Sequence, residues 1–400
     1  IDIIKKILAE SINCVVTSPP YYGLRNYGLP PTDWPEVSYA PMPGLPPLII
    51  PPTTCCLGLE DSIEAYVGHI VLVFRGLWKV LRNDGTLWLN LGDSYATGTK
   101  ASRPQFSPNG TVGANRPEAQ NSVPRVGTPT GLKTKDLIGI PWRVAFALQA
   151  DGWYLRNDII WHKPSAMPES VTDRCTKAHE YIFLLTKKPK YWYDQEAIRE
   201  ANSEGTPLQG RNKRTVWTVA GKPYKGAHFA TFPPDLIEPC ILAGCPSRVC
   251  VECDEPWVRV VERRKADVTR PRPLGKKGND DHNDTLRIYE EHTSVTIGFT
   301  PTCQCAPLPG RKEATRPGVV LDPFFGAGTV GVAARQLKRD WLGVDLNADY
   351  IEMARERLDQ TQPPLFSEVI LYETRRKGKA SNNSYARRRT ADGVEPSPCS

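Results

Sequence analysis

Nothing in the 400 residues reads as a membrane span, because no run of about eighteen consecutive apolar residues occurs. The start of the chain also lacks the charged-then-apolar pattern of a secretory signal. Both absences lead to the expectation of a soluble, cytoplasmic protein with no membrane partner. They also set the meaning of the 11 cysteines. Without a secretory signal a disulfide framework is a poor reading, and metal binding or buried thiols replace it. A starting methionine is missing too: the chain opens at Ile1, as expected of a fragment. Strong charge is scarce outside one segment. The net charge is +7, and Thr374 to Ser400, with seven basic and two acidic residues, carries +5 of it, leaving +2 for the body. Residues 361–400 are therefore expected to be a basic, disordered tail, suited to phosphates but equally explained by solvation.

Enough apolar residues remain for a sizeable core, at 40% of the chain, while 38 prolines imply long loops around it. Four hundred residues hold either one large α/β domain with insertions or two domains. The most informative stretch runs from Thr17 to Gly28. It follows Ile12-Asn13-Cys14-Val15-Val16, which has the β-branched character of a buried parallel strand. Ser18-Pro19-Pro20-Tyr21 thus becomes a stiff turn at the carboxyl end of a strand, where open α/β sheets place ligands. A hydroxyl, a fixed carbonyl and an aromatic face within four residues suit a flat base with an exocyclic amine. Taken alone, Pro-Pro merely ends a strand.

A second stretch changes that reading. Val319 to Gly331 contains a strand, the glycine loop Asp322-Pro323-Phe324-Phe325-Gly326-Ala327-Gly328-Thr329, and the start of a helix. Asp345 ends the next strand, about twenty residues after the loop, where an acid suits ribose hydroxyls. Together the two stretches resemble the amino-methyltransferases of DNA, which methylate N4 of cytosine or N6 of adenine with S-adenosylmethionine. The catalytic motif precedes the cofactor motif, which resembles the permuted order of that family's β group.

The resemblance implies an α/β, Rossmann-like S-adenosylmethionine-dependent methyltransferase fold with permuted motifs, acting on double-stranded DNA. Ser18, Pro19, Pro20 and Tyr21 become the catalytic residues. Ser18 Oγ and the Pro19 carbonyl would accept the amine hydrogens and Tyr21 would stack on the base. Asp322, Pro323, Phe324, Gly326, Gly328, Thr329 and Asp345 would bind the cofactor, with Phe232 completing the pocket. Asp2 is expected to contact the cofactor's adenine, or else to cap a helix carrying Ile3, Ile4, Ile7 and Leu8. Ser rather than Asp at position 18 is, in the family, associated with cytosine N4 and leaves adenine open.

Between these motifs, Leu29–Pro52 reads as a long loop. A helix is expected from Asp61, with Glu64 completing a capping box. Arg82–Gly85 reads as a turn, Thr86–Leu91 as a strand, and the forty residues after Ser94 as a mobile loop. Leu137–Leu148 and Asp235–Leu242 have helical spacing, while Tyr154–Trp161 and His179–Leu185 have strand character. Ala197–Ala227 interleaves Arg211, Lys213, Arg214, Lys222 and Lys225 with Trp217 and Tyr224, suiting stacked bases or a solvated surface. Pro239-Cys240 invites comparison with a Pro-Cys nucleophile, but its apolar helix favours a buried thiol. Cys250-x-x-Cys253 and Cys303-x-Cys305 are expected to form a closed, structural Zn²⁺ site, with Cys245 as a substitute ligand. The expected division is 1–195 as the catalytic half and 196–227 as the target-recognition region. Residues 228–244 and 317–360 form the cofactor half, 245–316 a Cys-rich, zinc-ribbon-like insertion, and 361–400 the tail.

Overall fold

The computed structural model describes residues 2–96, 129–200, 210–221, 232–265, 292–305, 315–361 and 371–372. Most of the expected mobile loop, from Thr97 onward, lies outside the described residues, as do Lys222, Tyr224, Lys225 and most of the expected tail. Within that tail, expected to be disordered, Leu371–Tyr372 instead pairs with the sheet beside Gly343 and Val344.

Ile12–Thr17 (β1) is buried at all of its positions, as a strand covered on both faces must be. Val15 belongs to the apolar cluster on one face of the sheet, and Cys14 and Val16 to the cluster on the other. On one side β1 pairs in parallel with Leu81–Leu91 (β2), on the other with Val319–Asp322. The remaining sheet strands are Tyr154–His162 (β3), His179–Thr186 (β4), Val216–Thr218 (β5), Val319–Asp322 (β6), Asp340–Val344 (β7) and Leu371–Tyr372 (β8). Their spatial order is β8-β7-β6-β1-β2-β4-β3-β5. Only β4 runs antiparallel to its neighbours, so the expected parallel sheet with an antiparallel addition is present.

Ile63–Val80 (α1) and Ile140–Ala150 (α2) pack on one face. Pro234–Gly244 (α3), Thr329–Gln336 (α4) and Ala348–Asp359 (α5) cover the other. The crossover from β1 through α1 leads to β2, while that from β6 through α4 leads to β7, on the opposite side. The boundary between β1 and β6 is therefore the switch point of the sheet, where a crevice opens beyond the strand ends. Two side chains fasten this seam. Asn13 Oδ1 accepts from the Val319 backbone N–H at 2.9 Å, and Thr17 Oγ1 donates to Asp322 Oδ1 at 2.7 Å.

Several local expectations are corrected. Ser62, not Asp61, caps α1, its Oγ accepting from the Ala65 N–H at 3.1 Å. Arg82–Gly85 is strand rather than turn: β2 already pairs at Leu81, and a register shift between Ile12 and Cys14 absorbs the extra residues. The amino-terminal helix is a single 3₁₀ turn, Ile4–Lys6, with no side-chain cap. Leu29–Pro52 is not a plain loop either. Thr32–Trp34 pairs with Thr53–Cys55, and Val37–Tyr39 with Leu48–Ile50, which buries Trp34, Val37 and Tyr39. Three-residue strands are too short to show alternation in sequence. Gly68 of α1 makes this packing possible, since a Cβ there would lie 3.1 Å from Tyr39 and Val37.

Candidate active site

A cavity of about 530 Å³ opens at the switch point. Its wall includes Ser18, Pro19, Pro20 and Tyr21 from the turn after β1, and Asp322, Pro323, Phe324, Gly326 and Thr329 from the loop after β6. Asp345 after β7, Phe232 before α3, and Asp2 also line it. Segments some 305 positions apart are thus joined directly by the Thr17–Asp322 hydrogen bond. Gly328 is the exception among the expected residues. It does not line the cavity; it caps α4 at φ +75°, and a Cβ there would meet the Ala354 Cβ at 2.9 Å. Its smallness serves helix packing rather than ligand approach.

The Ser-Pro-Pro-Tyr turn is held from several directions. Tyr66 donates its hydroxyl to the Pro20 carbonyl at 2.8 Å. Gly58 accepts from the Gly23 N–H at 2.8 Å, and a Cβ on Gly58 would lie 3.0 Å from the Tyr21 carbonyl. Gly58 is anchored in turn by Glu60, whose Oε2 accepts from its N–H at 2.8 Å. The other oxygen of Glu60 meets His69 Nδ1 at 2.9 Å, and Trp34 stacks on that imidazole at 4.3 Å. Beneath the turn, Tyr21 donates its hydroxyl to Glu180 Oε2 at 2.8 Å and approaches Asn90 Oδ1 at 3.1 Å. Ser18 Oγ donates to that hydroxyl at 3.3 Å. Gly92 leaves room for the ring: a Cβ there would come within 2.5 Å of Tyr21. Glu60, His69, Asn90, Glu180 and the glycines 58 and 92 carried no signal of these contacts in the sequence.

The glycine-loop side of the cavity is rich in buried acid. Burial pushes the Asp322 carboxyl up to about 7, against the opposing pull of hydrogen bonds from Thr17 and the Phe324 N–H. Asp345 is also raised by burial, although its oxygens accept from Gly326 N–H at 2.7 Å and Asn347 N–H at 2.9 Å. Phe325, which also lines the cavity, stacks on Trp341 at 5.3 Å, and Gly343 and Gly331 leave space for it. Asp2 pairs with Lys5 at 3.0 Å and is almost fully exposed.

A second cluster lies in the insertion. The antiparallel hairpin Trp257–Lys265 and His292–Pro301 rises from the short pair Val249–Cys250 and Thr315–Arg316. Sγ atoms of Cys250, Cys253, Cys303 and Cys305 lie within 4.8 Å of one another. Backbone N–H groups of Glu252 and Cys253 hold the Cys250 thiol down at about 7. Cys245 does not join them: it is buried against Pro246 with its thiol pushed up to about 12 by burial. Arg259 ties the hairpin to the body by a forked contact with Asp194, at 2.8 to 3.1 Å. Cys240 is a buried thiol raised by burial, as its helix suggested. Trp217 is also buried, its Nε1 donating to the Arg214 carbonyl at 2.7 Å, so it offers no open face for stacking a base.

The DNA methylase family model N6_N4_Mtase matches residues 12–251 and 312–356. The chain belongs to this family of S-adenosylmethionine-dependent DNA methyltransferases. Among curated proteins it is 38% identical to the Type II methyltransferase M.Cfr9I of Citrobacter freundii, over 90% of this chain and 85% of that protein. It is 38% identical to the Type II methyltransferase M.SmaI of Serratia marcescens, over 88% of this chain and 85% of that protein. Among solved structures it is similar to the PvuII DNA methyltransferase (cytosine-N4-specific), with 15% identity and a TM-score of 0.47. That match covers 88% of this chain and 82% of the other. Among the described residues, no helix is long and apolar enough to cross a membrane.

Proposed function

We propose that this family member methylates the exocyclic amine of a base flipped out of double-stranded DNA, with N4 of cytosine as the target. The observation that carries this reading is the single cavity walled by both the Ser18–Tyr21 turn and the Asp322–Thr329 loop. A base paired inside a duplex cannot enter such a cavity, so it must be extruded. The amine nitrogen is a poor nucleophile because its lone pair is delocalised into the ring. Acceptance of its hydrogens by Ser18 Oγ and the Pro19 carbonyl concentrates electron density on it.

The residues present fit the cofactor: a cavity this size, a buried carboxylate at Asp322 and a second at Asp345 suit an amino-acid portion and a ribose. S-adenosylmethionine supplies an already activated methyl group, so the protein's task is positioning. Pro323, Phe324, Gly326 and Thr329 would hold the remainder of it, with Phe232 and Asp2 toward the adenine. Ser18 supports cytosine through the family association. Residues 196–227 serve as the target-recognition region, in which the exposed Arg214 and the half-buried Arg211, both paired with Glu200, and not Trp217, would turn to DNA. The names of the relatives support a place in restriction–modification. Incorporation of tritiated methyl into DNA, followed by methylome sequencing of cells expressing the protein, tests the reading. N4-methylcytosine in a fixed context is the expected result. N6-methyladenine would move the assignment to the other base, and label in RNA or protein alone would refute it. DNA binding with no methyl transfer would favour a catalytically inactive zinc-ribbon protein.

The insertion, 245–316, is read as a structural Zn²⁺ site held by Cys250, Cys253, Cys303 and Cys305. Four converging thiols on two chain segments suit tetrahedral Zn²⁺, and a site with four protein ligands leaves no open position for catalysis.

A further inference from the structure

We propose that Glu180 takes up the proton released during methyl transfer, acting through Tyr21 and Ser18; the proposal rests on the reaction proposed above. Ser18 Oγ donates to the Tyr21 hydroxyl at 3.3 Å, and that hydroxyl donates to Glu180 Oε2 at 2.8 Å. Glu180 Oε1 is paired with Lys163. Asn90 fixes the geometry: its Nδ2 donates to Glu180 Oε2 at 3.2 Å and to the Tyr181 carbonyl at 3.1 Å. Three groups therefore form one unbroken chain from the cavity wall to a carboxylate that does not line the cavity. Glu180 touches no substrate and is a positioning residue by that criterion.

The chemistry requires an acceptor. As the amine nitrogen bonds to the methyl carbon, the carbon–sulfur bond breaks, the sulfonium becomes a neutral thioether, and one N–H proton becomes surplus. That proton passes to Ser18 Oγ, the Ser18 proton to the Tyr21 oxygen, and the Tyr21 proton to Glu180 Oε2. One amine proton is lost and one carboxylate becomes a carboxylic acid. Burial and the adjacent Glu180 charge keep the Tyr21 phenol protonated, so it can accept and donate in the same step. Lys163, Lys177 and His179 surround Glu180, with Asp93 as the nearby opposing charge.

Glu180→Gln keeps the side-chain size and removes its basicity. At saturating DNA and cofactor, its single-turnover methyl-transfer rate should fall on the order of 100-fold, while cofactor and DNA affinities stay unchanged. The wild-type rate should decline as pH falls, and this acid limb should vanish in the variant. NMR of isotope-labelled tyrosine in the cofactor-free protein should show the Tyr21 ring carbon bearing the hydroxyl shifted between the two proteins. Tyr21→Phe cuts the chain without touching the Lys163 pair, and adding Glu180→Gln to it should cost nothing further. A wild-type rate and acid limb in Glu180→Gln, or losses that multiply in the double variant, would overturn the relay. Failure of the wild type to label DNA would instead sink the reaction itself.

Discussion

Ser18 and Asp322 both line one cavity and make separable predictions. Ser18→Ala should lower the single-turnover rate on the order of 100-fold, the scale for losing one preorganised hydrogen-bonding group, with cofactor affinity retained. Equal loss of both, measured by rapid quench and calorimetry, would contradict the role given to Ser18. Asp322 is a buried acid raised to about 7. Because its folded value exceeds the unfolded one, the free protein holds an extra proton between about pH 4 and 7, and stability from this group is lost as pH rises through that window. A cationic ligand beside Asp322 favours the carboxylate, so binding below about pH 7 should release a proton and tighten as pH rises. Calorimetry in buffers of different ionisation enthalpy reads this directly, and Asp322→Asn should bind weakly with no such dependence.

Both residues were visible in the sequence because each sits in a contiguous run whose neighbours line the same cavity. Glu180, Asn90 and Glu60 were not. Each is a lone polar residue in or beside an ordinary strand or helix, and its importance arises from what folding brings against it: Tyr21 for the first two, Gly58 for the third. Trp217 failed in the opposite direction. Its basic neighbours suggested an open stacking face, and pairing of Val216–Thr218 at the sheet edge buried it instead.

At the level of elements, long strands and helices were legible through apolar runs, whereas their ends depended on single contacts such as the Ser62 cap. The Cys-rich hairpin shows what can be tested at this scale. Its four thiols converge although Cys250 and Cys305 are separated by the whole hairpin. Elemental analysis should find about one zinc per chain. Cobalt substitution should give the absorption of tetrahedral thiolate coordination, lost in Cys303→Ser. No described residue from 245 to 316 lines the cavity, so removing the metal should loosen the hairpin to proteolysis while leaving cofactor affinity unchanged. A concurrent loss of cofactor binding would mean that the insertion supports the pocket after all.

For the molecule as a whole, the decisive feature is that the sheet is joined in its middle by segments from opposite ends of the chain. Only Cys14↔Val320 and Val15↔Leu321 pair directly across β1 and β6. A seam this short needs fastening, and Asn13 and Thr17 provide it at its two ends. Thr17 has a double task, since the group it holds is the buried acid that lines the cavity. Thr17→Val keeps the shape of the side chain and removes the hydroxyl, leaving Asp322 with the Phe324 N–H as its one remaining hydrogen-bond donor among the contacts described. The expected cost is about 1–3 kcal/mol in urea unfolding, as for other buried acceptors that lose a partner. With less to favour its charged form, Asp322 should titrate higher still, moving the pH dependence of cofactor binding upward. Asn13→Ala gives the contrast: it loosens the far end of the same seam without touching the acid, so it should destabilise the fold while leaving that pH dependence in place. A Thr17→Val protein as stable as wild type, with unaltered cofactor binding, would show that strand pairing alone aligns the two halves of the site.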